Sequence, residues 1–342
     1  MSAKPKFAMY WAASCGGCEI SLLNIGDKIL QVDEAFDIVF FPCIADFKLA
    51  DVEGYPDGFI DICFFNGAIR NSDNEEMAHL LRRKSKILVA YGSCAYEGCV
   101  PALSNLTTAE ATLRAVYEDN PTIDNPSAVR PQTSVAAPEG ELTLPSFYNT
   151  VLALDQVVTV DYVIPGCPPE PHQVSAVLDL VIQGAPLPPP GNTVVGAGTV
   201  AVCEECPLAK DVKRIKRFYR PYEIVPEPGI CLLEQGLVCM GPATRSGCGA
   251  LCPRVNMGCR GCYGPLDGVA DQGARMLSAI ASVLDVGKPG EDEAALERAI
   301  ESAVATLADP AGTFYRFSMA HSLLRRARVA DRGSATPAAK GA

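Results

Sequence analysis

Fifteen cysteines stand in a chain of 342 residues. A thiolate is both a nucleophile and a soft metal ligand, so spacing decides which chemistry is open to it. Eight fall within residues 203–262, as Cys203-x2-Cys206-x24-Cys231-x7-Cys239-x8-Cys248-x3-Cys252-x6-Cys259-x2-Cys262. In the first half, Cys15-Gly-Gly-Cys18 forms a CxxC pair, and Cys94 and Cys167 follow separately. The start, MSAKPKFAMYWAAS, lacks secretory architecture and a twin-arginine pair, so a reducing, cytoplasmic setting is the expectation. Disulfides are disfavoured there, and an odd number of clustered cysteines points to metal or redox chemistry.

The elements that must position these thiols come next. Lys6–Ala12, Phe36–Phe41, Phe59–Asn66, Lys86–Tyr91 and Val157–Ile164 read as strands of buried type. Glu19–Val32, Asn74–Arg83 and Pro171–Gln183 read as helices between them. Continuous apolar strands separated by helices imply an α/β domain, residues 1–184, with a parallel sheet covered on both faces. Cys15, Cys18, Cys94 and Cys167 each follow a strand, so all four fall at the carboxyl edge, where open α/β sheets bind ligands. Four thiolates from three loops suit a [4Fe-4S] cluster or a structural zinc. The competing reading is a thioredoxin-type CxxC with Cys94 and Cys167 packed in the core.

Residues 185–192, APLPPPGN, read as a Pro-rich linker. Beyond it, residues 193–330 change character. Sheet signals are few between Cys203 and Gly264, and only Pro207–Phe218 looks helical there. Ligand binding can supply the order that a small apolar core cannot. The eight cysteines make two sets of four. Two zinc sites satisfy that count, but the compact paired-CxxC spacing of zinc ribbons is missing, which favours iron–sulfur. Helices are expected at Asp267–Leu284, Glu291–Leu307 and Tyr315–Val329, and a disordered tail over 331–342. Apolar residues make up 48% and charged residues 20%, as in globular proteins. A net charge of −11 opposes bulk nucleic-acid binding. No apolar run reaches membrane-spanning length, so membrane insertion is not expected. A GxxxxGK[ST] phosphate loop, a nucleophile elbow and a complete dinucleotide fingerprint are all missing.

Cys15-Gly-Gly-Cys18-Glu19, Gly92-Ser93-Cys94-Ala95 and Pro165-Gly166-Cys167-Pro168-Pro169 together resemble the small subunit of [NiFe] hydrogenases. The stretch LEQGLVCMGPATRSGCGALCP…GCRGCYGP is similar to the cytoplasmic, methyl-viologen-reducing group associated with heterodisulfide reductase. The resemblance covers about residues 1–265. It implies a flavodoxin-like domain, then an iron–sulfur domain of little regular structure with C-terminal helices. It also implies three [4Fe-4S] clusters passing electrons from H2 oxidation on a partner large subunit to an iron–sulfur or flavin acceptor protein. By position, Cys15, Cys18, Cys94 and Cys167 would hold a proximal cluster. Cys248, Cys252, Cys259 and Cys262 would hold a medial one, and Cys203, Cys206, Cys231 and Cys239 a distal one. Periplasmic relatives carry His where this chain has Cys203 and Pro where it has Cys252, so a three-iron medial cluster is not expected here. No Asp-Pro-Cys-x-x-Cys is present, so the Ni–Fe site would lie on another chain. Sulfhydrogenase-type and nicotinamide-linked small subunits are the alternatives within the family. A complex I-like relay subunit is the alternative outside it.

Other residues carry two readings. Glu19 is either a proton-relay group at the subunit boundary or a first-turn Glu favoured by the helix dipole. The run KDVKRIKRFYR places Lys210, Lys213, Arg214, Lys216, Arg217 and Arg220 after the first distal cysteines. It is either a solvated helix face or a docking patch for an acidic partner. Cys43 could line the proximal site but reads as packing, Cys63 as a buried hydrophobe, and Cys99 as a structural neighbour of Cys94. His79 and His321 read as exposed helix residues, and His172 as a helix-start residue near the proximal cysteines.

Overall fold

The computed structural model describes residues 4–211, 214–285 and 292–324. The elements run β1 (Lys6–Trp11), α1 (Gly17–Leu23), α2 (Lys28–Ala35), β2 (Asp37–Phe40), α3 (Leu49–Gly54), β3 (Ile60–Asn66), β4 (Ile69–Asn71), α4 (Ser72–Lys84), β5 (Ser85–Tyr91) and α5 (Ser93–Glu97). There follow α6 (Ala109–Tyr117), β6 (Ser134–Ala137), β7 (Gly140–Thr143), β8 (Phe147–Leu152), β9 (Tyr162–Ile164), α7 (Pro171–Ile182) and β10 (Thr193–Val194). The last are α8 (Val202–Glu205), α9 (Leu251–Arg254), α10 (Gln272–Ala281), α11 (Glu293–Val304) and α12 (Pro310–Phe314).

Six parallel strands form one sheet in the order β10-β9-β5-β3-β1-β2. Counting only these strands, the order is the flavodoxin-like 2-1-3-4-5 with one strand added. Alternate residues point to opposite faces. Phe7, Met9, Ile62, Phe64, Val89, Tyr91 and Ile164 pack against α1, α2 and α7. Ala8, Cys63, Phe65, Leu88, Ala90 and Val163 pack against α3 and α4. Each buried aromatic such as Phe65 contributes roughly 1.5–3 kcal/mol. At α4, the Asn71 carboxamide accepts from the Asn74 N–H at 2.9 Å. Acidic residues sit in its first turn and Arg82, Arg83 and Lys84 in its last, in the order the helix dipole favours.

The expected single helix over Glu19–Val32 is two helices, because the chain turns at Gly26 with φ of 69°. The strand expected over Val157–Ile164 is only three residues long. The Pro-rich stretch runs along the sheet edge and ends in β10: Asn192 N–H donates to the Val160 carbonyl at 2.8 Å, and Thr193 pairs with Tyr162. The helix expected over Pro207–Phe218 is absent from its described residues. Isolated bridges hold that segment instead, Ala209 to Ile230 and Ile215 to Leu284. Residues 315–324 form turns rather than the expected helix, and 325–329 of that expectation and the 331–342 tail lie outside the described residues. A third core joins both halves of the chain. Val202, Phe218, Met240, Met276, Phe314 and Met319 pack with Ala68, Ala102 and Val151. Among the described residues no helix is long and apolar enough to cross a membrane.

Candidate metal centres

The first thiol set lies at the carboxyl edge, on the loops after β1, β5 and β9. Gly16 enters α1 at φ 80°, and a Cβ there would meet the Trp11 indole at 2.9 Å. That tight turn places Cys15 exposed and Cys18 buried in the first helical turn. Gly92, at φ 84°, precedes α5 and buried Cys94; a Cβ on Gly92 would lie 2.4 Å from the Cys18 sulfur. Gly92 and Ser93 donate backbone N–H bonds to Ile164 and Gly166 at 2.8 Å, which brings the Cys167 loop alongside. Burial raises the Cys18 pKa, and the charges of Glu19, Cys167, Cys15 and Cys99 raise it further. Cys99, expected only as a structural neighbour of Cys94, has its sulfur 3.7 Å from that of Cys167 and packs with Cys94 and Phe317. Its distance of five residues from Cys94 gave no motif to find it by.

Cys203, Cys206, Cys231 and Cys239 line one pocket of the second half with Lys210 and Gly241. Cys203 rides on α8, and Cys231 is held by its N–H bond to the Ala209 carbonyl at 2.7 Å. A Cβ on Gly241 would stand 3.2 Å from the Cys203 sulfur and 3.6 Å from that of Cys239. Burial pushes the Cys203 thiol up to about 12, with the Cys239, Cys231 and Cys206 charges adding to it and Lys210 opposing.

The remaining four are Cys248, Cys252 on α9, Cys259 and Cys262. Glu205, which sequence reasoning passed over, accepts from the N–H groups of Gly247 (2.7 Å) and Gly249 (3.1 Å) and so holds the Cys248 loop. Burial lifts the Cys262 thiol to about 12, and Cys167, Cys248 and Cys252 raise it further against a backbone hydrogen bond that lowers it. The Ser93 hydroxyl also donates to the Cys262 carbonyl. On the other side, the Cys259 N–H donates to the Cys239 sulfur at 3.2 Å. The third set therefore touches the first through Cys262 and the second through Cys259.

Among the described residues no three His, Cys, Asp or Glu side chains close around a single-ion position. What the structure offers is crowded thiols, Cys18, Cys203 and Cys262 among them, whose ionisation burial and the neighbouring sulfurs oppose. A multiply charged cationic core relieves that opposition, because ligation takes thiolates and releases their protons. Gly92 and Gly241 leave the space beside the sulfurs that a Cβ would fill. On both grounds the residues fit bulky thiolate-bound clusters.

The flanking groups differ from expectation at His321, His172 and Cys43. His321 is not an exposed helix residue. Burial pulls its pKa down, but the hydrogen bond to Asp155 (2.8 Å) and buried Glu97 beside it win, and raise it to about 10. His172 begins α7 and its Nε2 meets the Gly247 carbonyl at 3.0 Å, beside Cys248 rather than the first set. His79 is exposed. Glu19 is buried, and Asn66 donates to both its oxygens at 2.7 and 2.8 Å. Burial raises its pKa. Cys63 is fully buried in β3, whereas Cys43 is exposed and does not pack.

A doubly wound sheet with cysteines at its carboxyl edge and a cysteine-rich second half defines a class of redox relay subunits. The family model for the NADH ubiquinone oxidoreductase 20 kDa subunit matches residues 15–181. The iron–sulfur subunit of the F420-non-reducing hydrogenase of Archaeoglobus profundus is 40% identical over 82% of this chain and 88% of that protein. The corresponding F420-non-reducing hydrogenase subunit of Methanothermobacter marburgensis is 35% identical over 95% of this chain and 97% of its own length. The delta subunit of sulfhydrogenase 2 of Pyrococcus furiosus is 28% identical over 76% and 86%. The chain belongs to the hydrogenase small-subunit family, in the branch of the iron–sulfur subunits of F420-non-reducing hydrogenases.

Proposed function

We propose that this chain is the electron-transferring subunit of a [NiFe] hydrogenase, carrying three [4Fe-4S] clusters between a partner large subunit and an acceptor protein linked to heterodisulfide reductase. The observation that supports it is the file of thiol sets: Cys167 beside Cys262, then Cys259 bonded to Cys239. Cys15, Cys18, Cys94 and Cys167 would hold the proximal cluster, Cys248, Cys252, Cys259 and Cys262 the medial one, and Cys203, Cys206, Cys231 and Cys239 the distal one. Bound there, the clusters supply one-electron redox chemistry. The chain's own residues place and tune. Backbone N–H groups, such as that of Cys259 on Cys239, lower the cost of charge on sulfur. Buried apolar side chains around Cys239 and Cys259 exclude water. Glu19, held by Asn66, keeps a proton-accepting carboxyl beside Cys18. Trp11, Ile20 and Leu23 leave apolar surface beside Cys15 for the large subunit to cover. The setting is cytoplasmic.

Electron paramagnetic resonance of the anaerobically purified complex tests the ligand sets. Beside any signal of the partner's nickel site, reduced protein is expected to give iron–sulfur signals of the [4Fe-4S] type alone, and Cys252→Pro a new three-iron signal in the oxidised state. A three-iron signal in intact wild type overturns the medial assignment. A nicotinamide-linked or sulfhydrogenase role is separated by the acceptor, since only the heterodisulfide-reductase reading requires H2-dependent reduction of that enzyme by the complex.

A further inference from the structure

Arg220, Arg260 and Arg316 come from three separate segments and line one cavity of about 380 Å³. Among the described residues none of the three guanidinium groups has a carboxylate partner. Arg260 reaches only the Met257 sulfur at 3.2 Å, and Arg316 only the Gly312 carbonyl at 3.3 Å. The neighbouring Arg217, by contrast, pairs with Glu223 and lies over the Tyr219 ring. Among the described residues no Asp or Glu lines the cavity. Three guanidinium groups thus face one space in a chain of net charge −11, with Glu223, which accepts from the Arg220 N–H, engaged by Arg217.

The cavity backs onto the thiol sets. Val238 and Gly258 form part of its wall, each one residue before Cys239 and Cys259. Those two segments touch, since a Cβ on Gly258 would lie 2.3 Å from the Val238 carbonyl oxygen. Its mouth carries exposed apolar groups: Tyr222 is 83% exposed and Met257 40%, with Val255 at 75% beside the lining residue Asn256. Arginine, tyrosine and methionine around an apolar rim match the composition of protein interfaces. A small free anion would need the cations but not the rim.

We propose that this cavity docks an acidic, aromatic- or aliphatic-bearing segment of the electron-accepting protein, and so sets where electrons leave the chain. This rests on the electron-transfer reading above. The guanidinium groups would pair with carboxylates of the partner, and the rim would cover its apolar side chains.

The test uses the intact, cluster-loaded complex and a short synthetic glutamate-rich peptide containing phenylalanine, with binding read by fluorescence anisotropy. Wild type is expected to bind the peptide, and to weaken at least tenfold when salt rises to about 0.5 M. Arg220→Glu with Arg316→Glu is expected to weaken binding at least tenfold. Arg220→Lys with Arg316→Lys should retain most of it, and Arg275→Glu, a charge reversal on α10 outside the cavity, should change it less than twofold. Unchanged binding in the double reversal, or an equal loss in Arg275→Glu, overturns the proposal. So does a wild type that ignores the peptide but binds inorganic pyrophosphate in a direct titration, which would mark a small-anion site. H2-dependent reduction of methyl viologen, measured in the same samples, reports separately on the electron-transfer reading, because the viologen dication does not need the cationic cavity.

Discussion

At the scale of single residues, the account depends on how little room the sulfurs have. Gly241 faces two of them at 3.2 and 3.6 Å from a hypothetical Cβ. Gly241→Ala is expected to lower iron content by about four per chain, the loss of one cubane, with little change in secondary structure by circular dichroism. Full iron in that variant would refute the tight fit at Gly241 and show that the sulfurs yield to a methyl group. Glu19 carries a separate prediction. Burial holds its pKa above the ordinary carboxylate value, so the neutral form gains weight at neutral pH. Glu19→Gln keeps the size and one oxygen acceptor for Asn66 and replaces the other with an amide that cannot ionise. H2 turnover is expected to fall at least tenfold with the cluster spectra unchanged, within the usual range for loss of a general acid or base. Unchanged turnover would leave Glu19 a purely structural residue.

At the scale of elements, the C-terminal segment clasps the first thiol set. The Cys99 N–H donates to the Phe317 carbonyl at 3.1 Å, Gln156 donates to the Ala320 carbonyl at 2.9 Å, and His321 bonds Asp155. His321 has a folded pKa of about 10, above its ordinary 6.5. A raised pKa means the folded state holds the proton more tightly, so this stabilisation is complete below about pH 6.5 and is lost as pH rises through about 10. His321→Phe is expected to cost about 1.5–3 kcal/mol at pH 6.5 and to flatten the decline toward pH 10, read by chemical denaturation. A mutant curve parallel to wild type would refute the clasp. The sheet was legible because Ile60–Asn66 and Ser85–Tyr91 are continuous apolar runs, buried on both faces. Pro207–Phe218 misled because its mix of Leu, Val, Ile and cations reads as amphipathic, while its partners Ile230 and Leu284 lie far along the chain. Residues 315–324 misled for a like reason: Gly98, Gln156 and Asp155, not helical periodicity, hold them. The four first-half cysteines were readable from their places after strands. Cys99, Glu205 and His321 were not, since each acts through a contact made only by the tertiary fold.

At the scale of the whole molecule, the three thiol sets run in one file from the sheet's carboxyl edge into the second half, joined where Cys262 meets Cys167 and Cys259 meets Cys239. Apolar Trp11, Ile20 and Leu23 remain exposed at the proximal end of that file, by 46%, 60% and 44%. Amide hydrogen exchange over residues 11–23 is expected to slow when the large subunit binds, and equal exchange in free and bound chain would place that interface elsewhere. The cysteine-rich second half buries its core through clustered thiols as well as apolar side chains, so metal removal is expected to destabilise it before the sheet. The central claim is that twelve cysteines hold three cubanes. Iron, acid-labile sulfide and zinc per chain in the anaerobically purified complex test it most directly. About twelve iron and twelve sulfide are expected beyond the partner's own iron, with negligible zinc. Zinc at about one per four of these cysteines, with little iron or sulfide, would contradict it.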